Sequence, residues 1–366
     1  MSCDLLMLAT PGVAGLQPYH PGKPVEDLER ELGISNIIKL ASNENPLGAS
    51  QQVRKVLSQN HDISRYPDGN GFRLKAALAK HHGISVTQIT LGNGSNDVLE
   101  LIARAVVRSA HEVIFSQHAF AVYPLVVQAI GAISVITPAK NWGHDTEAIT
   151  TAITDKTRLI FIANPNNPTG TWLDKNSLRR LLETIPENVI VVVDEAYHEY
   201  VTEDEYPDCI KWLDDFPNLV VTRTFSKAHG LAGLRIGYAV SHSDIADLMN
   251  RVRQPFNVNS LALLAAETSL KDIEHIEQSI RVNQTGLQQL SEGFDNLGLH
   301  FIPSVANFIC VDLQQPAGDI YNALLHEGVI VRPVDVYDMP NHLRVTVGRE
   351  QENKKFINAL TKVLAA

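Results

Sequence analysis

The sequence predicts an α/β protein in which a large domain, built on a mostly parallel sheet flanked by helices, is joined to a smaller α+β domain. From Ile89 onward, short β-branched runs alternate with longer helical patterns, as in parallel sheets whose faces are covered by helices. The run Val189 to Val193 is apolar at every position, as suits a central strand buried on both sides. A length of 366 residues is about two to three times that of a usual domain, enough for two units sharing one site.

Between Pro11 and Pro24, seven of fourteen positions are Gly or Pro, which predicts a non-helical, extended arm lying over the rest as a lid. The segments ITLG, EVIFS, ISVIT, RLIFIA, VIVVVDEA and LVVTRTFS read as successive strands, with a helix starting at Ser95 after the first. After Gly237 the texture changes: a helical stretch runs through roughly residues 261 to 295, followed by NFICVDL, a helix near Asp319 to Glu327, VIVRP and LRVTVG. A closing helix carries Phe356, Ile357, Leu360, Val363 and Leu364 on one face. This divides the chain into a large domain over 42–256, with 1–41 and 257–366 forming the arm and the small domain.

Composition narrows the function. Hydrophobic residues at 44% and charged residues at 20% are those of a globular protein, not of a disordered or fibrous one. A net charge of −10 repels nucleic acid and anionic membranes, so neither is expected as a partner, and an anionic substrate needs local arginines. Cys3, Cys209 and Cys310 lack the spacing of a zinc or thioredoxin-type motif, and the fourteen histidines form no H-E-x-x-H, so no metal is expected. Asp4 and the Pro11-Gly12 break interrupt any signal-peptide pattern, and the apolar runs fall short of the ~20 residues that span a bilayer. A soluble cytoplasmic protein follows.

Several polar clusters stand just beyond strand ends, where open α/β sheets bind ligands. At Gly92-Asn93-Gly94-Ser95-Asn96-Asp97, glycines allow a tight turn into a helix whose first N–H groups suit a phosphate; an ordinary turn capped by Ser95 or Asn96 is the plainer alternative. Asp194 follows five apolar residues, so its carboxylate sits at the edge of a dry core and calls for a cationic partner, such as a protonated pyridine nitrogen. Tyr197, three residues on, can present a phenol to the same place. Lys227, beside Ser226 in a glycine-rich turn after an apolar strand, is placed for the partial desolvation that turns an amine into a nucleophile. A cation site formed by Asp194 and Glu195 would make a nucleotide- or metal-binding protein, but no phosphate-loop lysine motif accompanies them.

Taken together, TFSKAHGLAGLRIGY, NPNNPTGT, VVDEAY, LASNENPLG and RYPD resemble the fold-type I pyridoxal-phosphate aminotransferases. The PYHPGKP arm and RYPD bring the chain closest to the histidinol-phosphate aminotransferases, and the match runs in order from about Pro18 to Arg344. The resemblance implies pyridoxal 5'-phosphate as cofactor, carried on Lys227 as a Schiff base, with Asp194 against the pyridine nitrogen and Asn167 and Tyr197 on the phenolic oxygen. It implies that Ser95, Asn96, Ser226 and Arg235 hold the phosphate, with Tyr66 reaching in from the second subunit of a homodimer with shared sites. Tyr19, Arg332 and Arg344 fall at the substrate positions; a surface ion pair is the commoner fate of a lone arginine. His20 reads as a lid surface residue. The family's phosphate turn G-S-D-E stands here as Gly94-Ser95-Asn96-Asp97, which keeps the main-chain donors. Phe120 occupies a stacking position that is often Tyr, leaving Tyr123 or water to supply the missing hydroxyl. The implied reaction is ping-pong transfer of the amino group of L-histidinol phosphate to 2-oxoglutarate in histidine biosynthesis. Aromatic amino-acid transamination and threonine-phosphate decarboxylation share much of the pattern.

Overall fold

A computed structural model describes residues 5–18 and 22–365. Seven strands form the large sheet: β1 (Ile89–Gly92), β2 (Glu112–Ser116), β3 (Ile133–Thr137), β4 (Thr157–Ala163), β5 (Ile190–Asp194), β6 (Leu219–Thr224) and β7 (Gly237–Ser241). Their spatial order is β1-β7-β6-β5-β4-β2-β3, and β2 to β6 run parallel with β3 at that edge. Strand β7 lies antiparallel between β6 and β1. It was not among the expected strands: its five residues follow a glycine-rich turn and include Gly237 and Ala239, which gives a weak period.

Because side chains alternate across a strand, each central strand feeds two cores. Val191, Val193 and Val221 join the cluster under the helices Phe72–His82, Lys175–Thr184 and Ser260–Ser269. Val192, Val220, Phe161 and Ala239 join the opposite one, with the helices Ser95–Val106, Val122–Ile130 and Ser243–Val252. The small domain has an antiparallel sheet of β8 (His300–Ile302), β9 (Phe308–Asp312), β10 (Arg332–Val334) and β11 (Met339–Thr346), in the order β8-β9-β11-β10. Its core packs Leu290, Phe294, Ile309, Leu343, Phe356 and Leu360. The N-terminal segment joins this unit, since Ile38–Lys39 pairs in parallel with Val329–Ile330.

Three expectations need correction. The arm contains one helical turn, Pro11–Ala14, because proline fits the first position of a helix, where its missing N–H is not required. The helical stretch after residue 260 is two helices, Ser260–Ser269 and Ile273–Asn296, the second capped by Asp272. The first of these lies beyond the expected boundary at 256 yet packs on the large sheet: Val258, Ala262, Ala265 and Ala266 belong to that core.

The same alternation sends Glu195 and Arg223 to one face, away from Asp194. Glu195 Oε2 accepts from Arg223 Nε at 2.9 Å and NH2 at 2.7 Å, and NH2 also reaches Asp208 Oδ1 at 2.7 Å. The Glu195 side chain is 0% exposed. Arg223→Ala should therefore cost about 3–5 kcal/mol by leaving a buried, unpaired carboxylate. Urea unfolding at pH 7 measures this, and the double change Glu195→Gln/Arg223→Met should cost less than Arg223→Ala alone.

Candidate active site

The C-terminal ends of β4, β5 and β6 stand side by side, with Ala163 in register with Asp194 and Asp194 with Thr222. Between these ends and the small domain lies a cavity of about 370 Å³. Eleven of the sequence-predicted residues line it: Ser95, Asn96, Phe120, Asn167, Asp194, Tyr197, Ser226, Lys227, Arg235, Arg332 and Arg344. Tyr66 does not. It is 82% exposed and stacks on Phe256 at 4.7 Å. Tyr19 and His20 lie outside the described residues.

Asp194 ends β5 with both oxygens engaged, Oδ1 accepting from Thr222 Oγ1 at 2.9 Å and Oδ2 from Tyr123 Oη at 3.0 Å. Neither donor is charged. Burial pushes the carboxyl up to about 6, although the two hydroxyls favour its ionised form. Tyr123 is itself fully buried and stacks on Phe161 at 4.5 Å, so its hydroxyl serves Asp194 and does not replace the one missing at Phe120. Sequence reasoning missed Thr222, whose only signal was a polar residue within an apolar strand. It also missed Asn43, which donates to Tyr197 Oη at 2.9 Å.

Lys227 follows β6 and donates from Nζ to the Ser42 carbonyl at 3.1 Å. Burial, with the Arg344 guanidinium next in effect, brings its amine down to about 7. An amine with a substantial neutral fraction near pH 7 can act as a nucleophile and a base. Arg344 is 5% exposed; its NH1 donates to Asn167 Oδ1 at 2.5 Å and NH2 to the Ala41 carbonyl at 2.8 Å. Its Nε is buried with no partner among the described residues. Arg332 lies opposite Arg344 across the β10–β11 pair, so both guanidinium groups border the cavity.

At the other end, the helix Ser95–Val106 starts after Gly94 with no side chain capping its first turn. Asp97 instead turns back to the Asn93 N–H at 2.8 Å. The structure thus favours an anion-facing turn over one capped by Ser95 or Asn96. Arg235 NH1 lies 3.4 Å from Ser226 Oγ. The packing here leaves no room for a side chain: a Cβ on Gly94 would fall 2.5 Å from Arg235 NH2, and one on Gly237 2.4 Å from the Ser95 N. Amide donors, a hydroxyl and a guanidinium at one end, with a carboxylate at the other, fit a phosphate ester joined to a cationic ring. Among the described residues no group of His, Cys, Asp and Glu is placed to hold a metal ion, and Glu195 is taken up by Arg223.

Asp194 and Lys227 predict opposite pH trends for the cofactor-free protein. The folded state binds the Asp194 proton more tightly than the unfolded chain, so this group's contribution falls as pH rises from 3.8 to about 6. Lys227 binds its proton less tightly when folded, so its unfavourable contribution is relieved as pH rises from about 7 to 10.5. Asp194→Asn should raise the unfolding free energy at pH 8 by about 1–3 kcal/mol. In urea titrations the gain should vanish below pH 3.8, where Asp194 is protonated in both states.

The family model for aminotransferases of class I and II matches residues 35–360. Histidinol-phosphate aminotransferase 1 of Nitrosococcus oceani is 57% identical over 98% of this chain and 97% of its own length. Histidinol-phosphate aminotransferase 2 of Pseudomonas fluorescens is 56% identical, with both chains covered in full. Among solved structures, the histidinol-phosphate aminotransferase of Sinorhizobium meliloti in complex with pyridoxal-5'-phosphate superposes with a TM-score of 0.90 at 29% identity, covering 97% of each chain. With residues 35–360 matched by that model and relatives more than half identical along nearly the whole length, this chain belongs to the class I and II aminotransferases.

Proposed function

We propose that this aminotransferase moves the amino group of L-histidinol phosphate to 2-oxoglutarate, giving imidazole-acetol phosphate and L-glutamate in histidine biosynthesis, with pyridoxal 5'-phosphate as cofactor. The observation that carries the reading is end-to-end identity above one half with relatives of that name. Arg332 and Arg344, bordering the cavity beside Arg235 in a protein of net charge −10, support it, because both substrates are anions. When bound, pyridoxal phosphate supplies an electron sink for the pair left when a substrate Cα–H bond breaks.

The protein's own residues do the rest. Asp194 would hold a proton on the pyridine nitrogen, gaining the cationic partner that Thr222 and Tyr123 do not provide. Lys227 would hold the cofactor covalently, and its amine, when free, would take the proton from the substrate Cα. Asn167 and Tyr197 would bond the phenolic oxygen, and Phe120 would pack against the ring. The amides of Ser95 and Asn96, with Ser226 and Arg235, bind the phosphate by charge-assisted bonds of roughly 1.5–3 kcal/mol each. Arg344 and Arg332 receive the anionic end of either substrate, a guanidinium presenting two parallel donors to phosphate or carboxylate. Tyr19 remains assigned to the substrate by resemblance alone.

We place the enzyme in the cytoplasm; the free thiols of Cys209 and Cys310 support a reducing compartment. No helix among the described residues is long and apolar enough to cross a membrane. We also infer a homodimer in which Tyr66 completes the partner's site. Support comes from exposed apolar side chains: Tyr66 (82%) stacks on Phe256 (44%), and Ile63 (81%) and Phe72 (67%) lie near it in sequence.

Steady-state assays with 2-oxoglutarate should give the highest kcat/KM for histidinol phosphate over phenylalanine and tyrosine, with no CO2 released from threonine phosphate. Lys227→Ala should reduce turnover by ~10³-fold or more. Preference for an aromatic amino acid, or decarboxylation, would replace the assigned substrate. For the dimer, mixed species of Tyr66→Phe and Lys227→Ala chains should hold one site per dimer with wild-type cofactor affinity, because one composite site keeps both native residues. If no such site forms, Tyr66 does not act across subunits.

A further inference from the structure

The Tyr197 phenol is held from behind by a side chain that the roles above do not use. Asn43 donates Nδ2 to Tyr197 Oη at 2.9 Å, and the two residues are 1% and 3% exposed. Thr346 Oγ1 accepts from the Asn43 backbone N–H at 2.9 Å and donates its single proton to Asn43 Oδ1 at 3.1 Å. The Asn43 carbonyl accepts from Asn307 Nδ2 at 3.0 Å. These bonds hold Asn43 at φ 55°, a left-handed conformation that asparagine tolerates better than most residues. Its Oδ1 is thereby occupied, and its Nδ2 faces the phenol.

A phenol has one proton to give. Since Asn43 presents an N–H, Tyr197 accepts from it and keeps its own proton for another partner, and the donor behind it strengthens that second bond. Tyr197 and Asn43 line the cavity together with Lys227, Asp194 and Asn167. We propose that Asn43 is a positioning residue which, with its orientation fixed by Thr346, makes the Tyr197 hydroxyl a hydrogen-bond donor to the cofactor's phenolic oxygen. This rests on the pyridoxal-phosphate reading above. Its consequence is that the phenolic oxygen stays deprotonated to lower pH than it would beside an unoriented tyrosine.

The test is the pH titration of the visible absorbance of the pyridoxal-phosphate-loaded enzyme, a readout separate from turnover. Asn43→Asp keeps the size and backbone tolerance but replaces the donor with an acceptor, so Tyr197 turns its proton toward the new carboxylate. The titration midpoint should rise by about one pH unit or more. Asn43→Ala and Thr346→Val should raise it by less, and they carry the test should Asn43→Asp fail to bind cofactor. In a Tyr197→Phe background, Asn43→Ala should add no further shift, since the hydroxyl it acts through is gone. Wild-type midpoints in folded, cofactor-binding Asn43→Ala and Thr346→Val overturn the proposal, as does an equal Asn43→Ala shift with and without the Tyr197 hydroxyl. Wild-type protein that takes up no pyridoxal phosphate would instead refute the underlying reading.

Discussion

The burial of one carboxylate organises the interior of this protein. Asp194 ends a strand whose preceding residues Val191 to Val193 are wholly enclosed, and the donors that reach it, the hydroxyls of Thr222 and Tyr123 and the Ala196 backbone N–H, are all neutral. A charge so placed is tolerated only if something positive comes to it. The remaining charged groups on the cavity walls are mostly cationic, with Lys227, Arg235, Arg332 and Arg344 against Glu44. A ligand with a positive ring at one end and a phosphate at the other relieves both imbalances at once. The cavity therefore selects by charge layout before it selects by shape.

Strand parity keeps this arrangement separate from the second buried charge system. Asp194 and Glu195 are neighbours in sequence, yet alternation sends them to opposite faces of the sheet. Glu195 meets Arg223 there and becomes part of the scaffold. Two adjacent acids thus hold different duties, and no shift of register by one residue could preserve both.

Features set by local chemistry were legible in the sequence. The buried strands announced themselves through apolar runs, and Asp194 and Lys227 through a charge set directly after such a run. Strand β7 was hidden because Gly237 and Ala239 carry little hydrophobic signal, and its place depends on pairing with β1 and β6. Thr222 and Asn43 were hidden for a related reason: each matters through one hydrogen bond to a residue distant in sequence. The helical turn at Pro11 was misjudged because proline forbids the middle of a helix but not its start. Tyr66 stood out by resemblance alone, and its exposed position in a single chain gives it no partner in the cavity.

Asn43 and Thr346 bond across 303 residues of chain. The segment Ile38–Lys39 likewise waits for Val329–Ile330. During synthesis the N-terminal portion leaves the ribosome long before these partners exist, while all seven strands of the large sheet are complete by Ser241. Domains tend to form as they emerge. Leu40 and Ala41, each 2% exposed in the finished fold, pack on residues such as Val345 and Ile330 that emerge only later. A nascent chain halted short of Thr346 would then carry a formed large sheet, with Asp194 and Lys227 in place, and an unfinished pocket.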